Sequence, residues 1–117
     1  MKNSFYLFLL FLGFTGPLSS QSINESIVKK HIYTLANDSM QGRKAGTEGI
    51  EKAAKYIESQ FKKIGLKYFN NNSFRQTFNY KNKRSRNQEE LNLFNVIGFL
   101  EGNEKKDEIV VISAHYD

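Results

Sequence analysis

The chain has 117 residues, 17 lysines and arginines against 12 acidic residues for a formal charge of +5, one proline and no cysteine. That length holds one small domain at most. Without thiols, disulfides and a lipoprotein anchor on cysteine are excluded, so stability must come from an apolar core or from a metal.

The first 20 residues read as a targeting segment. Lys2 gives a positive start, Phe5–Phe14 is an apolar run, and Gly16-Pro17-Leu18-Ser19-Ser20 is a small-residue, turn-prone exit. Spanning a bilayer takes about 20 apolar residues in a helix, more than this run supplies, so it predicts a signal peptide cleaved near Ser20 and no stable membrane anchor. The protein is then exported, to the periplasm or the extracellular space, and residues 21–117 form the mature part.

Ser22 followed by Glu25 fits a capping box, and Ile27, Val28, Ile32, Leu35 and Ala36 recur at helical spacing as far as Asn37-Asp38. An amphipathic helix is predicted over about 23–36. His31 lies beside its stripe without a second ligand at i+3 or i+4, which makes it a packing residue rather than a metal ligand. The loop Ser39–Thr47 contains Gly42 and Gly46, placed where the backbone needs angles other residues avoid. It lacks the GxxxxGK[ST] pattern of a phosphate loop. A basic residue in a glycine loop is most often part of a solvated turn, and that is the first reading of Arg43; the alternative is that it clamps a carboxylate or ties the loop to the sheet.

Thr47 is the predicted N-cap of a second helix, whose apolar positions Ile50, Ala53, Ala54, Ile57, Phe61 and Ile64 follow helical spacing. Its outer face carries Glu48–Lys52, Glu51–Lys55 and Glu58–Lys62 at i,i+4, a solvated arrangement that balances the lysines locally. Gly65 ends the helix in a left-handed cap with Leu66 against Phe61.

Lys67-Tyr68-Phe69 begins a short strand, Asn70-Asn71-Asn72 turns the chain, and Phe74–Tyr80 alternates as a half-wet edge strand. The basic run Lys81–Arg86 has no aromatic residue interleaved for stacking, which argues against nucleic acid and for a solvated loop between strands. Leu91 and Leu93 lead into a strand at Asn95–Leu100, and a charged turn precedes Ile109. The short link predicts antiparallel pairing between Asn95–Leu100 and Ile109–Ala114.

The last stretch, IVVISAHYD, is apolar on both faces and calls for cover on both sides, which two helices and one other long strand do not supply. The chain reads as the opening third of a larger α/β domain. His115 and Asp117, two apart, leave the same face of an extended chain at the end of the strand, where α/β sheets keep their ligands. On residues alone three readings stand: a strand end turning to solvent, a metal-binding imidazole steadied by a carboxylate, or a general base oriented by Asp117 for a nucleophile elsewhere.

The order of features then adds a resemblance. An export segment, the loop MQGRKAGTEG, a long helix closing on KKIGL, a Gln-Thr-Phe strand, NVIGFLEG and IVVISAHYD resemble, over about residues 35–117, the N-terminal portion of the co-catalytic di-zinc peptidases of metallopeptidase family twenty-eight. That family includes leucyl-type aminopeptidases, and the secreted glutaminyl cyclases are relatives. The resemblance implies a three-layer α/β/α fold, of the phosphorylase/hydrolase-like zinc exopeptidase type, with a mixed, mostly parallel sheet. It implies His115 as first zinc ligand and Asp117 as the catalytic aspartate that orients it. It implies two zinc ions activating a water for hydrolysis of a peptide or protein substrate, with the remaining ligands and the glutamate base in later residues. This stretch by itself is then inactive. A glutaminyl cyclase of the same fold and a non-catalytic exported binding module, using the second helix and Phe74–Tyr80, are the alternatives.

Overall fold

The computed structural model describes residues 22–81 and 90–117. The expected signal peptide, residues 1–20, lies outside them, as does most of the basic run after Lys81. The described residues form a small mixed α/β arrangement: α1 (Glu25–Leu35), a 3₁₀ segment (Asp38–Arg43), α2 (Glu48–Lys63), and strands β1 (Lys67–Tyr68), β2 (Arg75–Lys81), β3 (Glu90–Val96) and β4 (Gly98–Phe99). Among the described residues no helix is long and apolar enough to cross a membrane.

α1 starts two residues later than the capping box predicts. Asn24 is the cap, its side-chain oxygen accepting from the Ser26 and Ile27 amides at 3.0 and 3.3 Å. Asparagine accepts such bonds as well as serine does, and it stands directly before the first helical turn. The apolar stripe of α1 is largely uncovered, with Ile27, Val28 and Ile32 all exposed. His31 packs as expected, its Nδ1 2.8 Å from the Tyr56 hydroxyl on α2.

α2 follows the predicted periodicity closely. Ile50, Ala53 and Ala54 are buried, and Thr47 occupies the N-cap position. Its hydroxyl does not cap the helix, however; it donates back to the Lys44 carbonyl at 2.6 Å. The C-terminus closes as predicted. Gly65 takes φ 76°, its amide reaches the Lys62 carbonyl, and the Leu66 amide reaches Phe61. Those two bonds satisfy carbonyls that the helix end would otherwise leave unpaired.

Of the three ion pairs expected along α2, Glu48–Lys52 forms at 3.0 Å. Glu51 and Glu58 instead face inward to Arg75 on β2, at 2.8 and 2.6 Å. A planar guanidinium offers a fork of donors that a lysine lacks, and the half-buried setting strengthens the contact. Desolvation opposes the charge on Arg75, but the two carboxylates outweigh it and raise its pKa above the ordinary arginine value. Phe74, one residue earlier, is the buried aromatic between α2 and β1, edge-on to Phe61 and beside Tyr68 at 5.6 and 4.5 Å between ring centres.

The sheet differs from the expectation. There are two separate two-stranded antiparallel pairs, β2 with β3 from Arg75↔Val96 to Lys81↔Glu90, and β1 with β4. The first pair brackets residues 82–89, so the reading of the basic run as a solvated loop lies outside the described residues. The predicted strand Asn95–Leu100 is split at Ile97, whose amide bonds the Phe74 carbonyl at 2.7 Å. Beyond it Gly98 crosses under Leu66 and Phe61 to reach β1.

The antiparallel pairing of Asn95–Leu100 with Ile109–Ala114 is overturned. Residues 109–114 lie outside both pairs, with Ile109–Ile112 between 81% and 94% exposed rather than buried on both faces. β-branched residues favour a strand only where neighbouring backbone offers free donors and acceptors. Here β4 offers little edge to pair with, its ladder with β1 being only two residues long, and the turn before Ile109, closed by the Glu108 amide on the Lys105 carbonyl at 3.2 Å, brings the run to neither strand pair.

Candidate functional site

The run that carries His115 and Asp117 belongs to neither strand pair, and the two side chains nevertheless come together. The His115 Nδ1 stands 3.1 Å from Asp117 Oδ1, so the two predicted site residues meet. The Asp117 carboxyl is held below the usual carboxylate range, chiefly by its hydrogen bond to His115. An ionised carboxylate only accepts, so the shared proton sits on Nδ1 and a neutral ring keeps its lone pair on Nε2. The His115 side chain is 97% exposed, which leaves that nitrogen open to a ligand.

Tyr116, between them, rests against β3. It is the only partly covered residue of 109–117; its phenol is pushed above its ordinary pKa by burial, and its hydroxyl lies 3.5 Å from the Phe94 carbonyl. Its own carbonyl accepts from Arg43 Nε at 2.7 Å, and a second Arg43 nitrogen donates to the Leu35 carbonyl at the end of α1. Arg43 thus ties the glycine loop to backbone at the site and at α1, not to a carboxylate. Tyr116 was not singled out from sequence. The available signal was an aromatic residue standing between the two candidate site residues.

The three residues line one wall of a groove of about 730 Å³. Its opposite walls come from the start of α2, with Thr47 and Ile50, and from β2 and β3, with Phe78 and Asn95. The groove mixes apolar and amide surface beside one open imidazole, the composition of a small ligand site.

As a metal centre, the pair fits one ligand with its support. Carboxylate-backed imidazole is the usual form of a zinc-binding histidine. Among the described residues no group of three or more histidine, cysteine, aspartate and glutamate side chains gathers around a common point. A stable zinc site takes three or four protein ligands. Compared with protein-family models, curated proteins and solved structures, the chain finds no match.

Proposed function

We propose that this chain carries the first zinc-ligand segment of an exported aminopeptidase-type metallopeptidase, with His115 as the ligand through Nε2 and Asp117 as the residue that orients it. Residues 21–117 would be the N-terminal part of a three-layer α/β/α catalytic domain with a mixed, mostly parallel sheet, in which Ile109–Ala114 gains strand neighbours on both sides. The contact that carries the reading is the 3.1 Å approach of His115 Nδ1 to Asp117 Oδ1, with the other ring nitrogen in the open. Further support comes from the apolar run Ile109–Ile112, which is left without cover.

The roles of the chain's own residues follow from that geometry. Asp117 holds the proton on Nδ1, fixes the ring plane and makes the outer nitrogen a better donor. The groove wall of Ile50, Phe78 and Thr47 would receive part of a peptide substrate. Zinc, when bound, supplies Lewis acidity toward a peptide carbonyl. In the proposed whole protein, further acidic and histidine ligands join His115.

Elemental analysis of the purified full-length protein tests this reading. Zinc per chain should fall sharply on His115→Ala, and Asp117→Asn should weaken affinity by about 10- to 100-fold, the usual cost of losing such a supporting carboxylate. Zinc content and affinity unaltered in both variants would refute it.

A further inference from the structure

Residues 109–117 lie outside both strand pairs, and among the described residues two hydrogen bonds fasten them to the rest of the chain. Both are at Tyr116. The shorter comes from Arg43, whose Nε donates to the Tyr116 carbonyl at 2.7 Å while its other arm holds Leu35. That carbonyl belongs to the peptide unit joining Tyr116 to Asp117. Holding it restrains the backbone that carries His115 on one side and Asp117 on the other.

The loop is built to present this arginine. Gln41, Gly42 and Arg43 take φ of 49°, 66° and 55°, three successive left-handed residues of which only one is glycine. Side chains adopt that region at an energetic cost, and such conformations persist only where surrounding contacts hold them. For Arg43 those contacts are the two carbonyls. An arginine serving only as a solvated turn residue would have no reason to be half-buried in such a conformation.

We propose that Arg43 is a positioning residue for the His115–Asp117 pair, locking the imidazole to the end of α1 through the Tyr116 carbonyl. The functional consequence rests on the reading of His115 as a metal ligand; the clamp itself does not. Its loss would let the His-x-Asp segment swing free while α2 and its buried face stay folded.

The experiment compares the purified full-length protein with its R43A and R43K variants, using ¹⁵N relaxation together with zinc titration followed at the His115 ring. In the unmutated chain the order parameters at residues 115–117 should match those of α2. In R43A they should drop below about 0.6, the range of mobile backbone, with α2 unchanged. Zinc affinity should fall about tenfold with them. R43K keeps the charge but cannot span both carbonyls; it should fall between the two, and it is the variant to read if R43A does not fold. Order parameters at 115–117 unaltered in the variants would overturn the clamp. Looser backbone with unaltered zinc affinity would overturn the positioning role. If zinc leaves the His115 ring untouched in the unmutated chain, the metal reading falls and the relaxation data alone decide the clamp.

Discussion

Arg75 on β2 donates to Glu58 on α2 across 2.6 Å, and it does so while lying over the Phe94 ring at 4.3 Å. With Glu51 as second acceptor, one guanidinium joins the long helix to both strands of the larger pair. Arg75→Ala should lower stability by about 1–2 kcal/mol, from a half-buried charge network plus the cation–ring contact. Arg75→Lys should restore less than half of that, because an ammonium cannot serve both carboxylates in one plane. Urea midpoints of the two variants check the order.

Two glycines set how closely elements approach. A Cβ at Gly98 would stand 2.6 Å from Leu66 Cδ1 and 2.8 Å from Phe61 Cδ2, whereas one at Gly49 would meet the Met40 carbonyl oxygen. Side-chain ends can turn aside and backbone cannot. Gly98→Ala should therefore cost about 1 kcal/mol and Gly49→Ala about 3 kcal/mol or more. Thermal melts that rank them the other way would show that the 3₁₀ segment yields more easily than the aromatic contact.

The shorter strand pair carries a pH signature. Glu101 accepts from Lys67 at 2.7 Å, and that bond, ahead of Lys106, holds its carboxyl below the usual range. A depressed folded-state value means that the contribution is present above the unfolded-state carboxyl value and is lost as pH falls through the folded one. The Glu101 carboxyl carbon, followed by NMR, should titrate at lower pH than it does in Lys67→Ala. Identical midpoints would contradict the pairing.

Ile109–Ile112 is uncharged, β-branched and exposed, the composition of a segment that recruits copies of itself. Val111→Lys should reduce self-association of the chain in light scattering while leaving the α2 amides equally protected. Scattering unchanged by the charge would place the sticky surface elsewhere, for example on the uncovered stripe of α1.

What could be read from the amino-acid order was mostly what is local. α2 and its glycine cap follow from apolar spacing and one left-handed residue, both set within a few positions of each other. The meeting of His115 and Asp117 is equally local, between side chains two residues apart. Partner choice was not legible. Glu51 and Glu58 sit at ideal distance from lysines on their own helix, yet a distant arginine takes both, since only packing reveals which charges share a half-buried space. Likewise β4 pairs with β1 rather than with its apolar successor, because propensity says that a run will fit a sheet and not which edge will accept it.

Under the proposed function, Asp117 keeps the proton of His115 on Nδ1 and leaves Nε2 to take the metal in the full-length protein. Long-range ¹H–¹⁵N correlation of the His115 ring at neutral pH, recorded before and after addition of zinc, tests it most directly. The expected spectrum shows a protonated Nδ1, a bare Nε2, and a zinc-induced shift confined to Nε2 that disappears in His115→Ala. A proton on Nε2, or a ring indifferent to the metal, would contradict it.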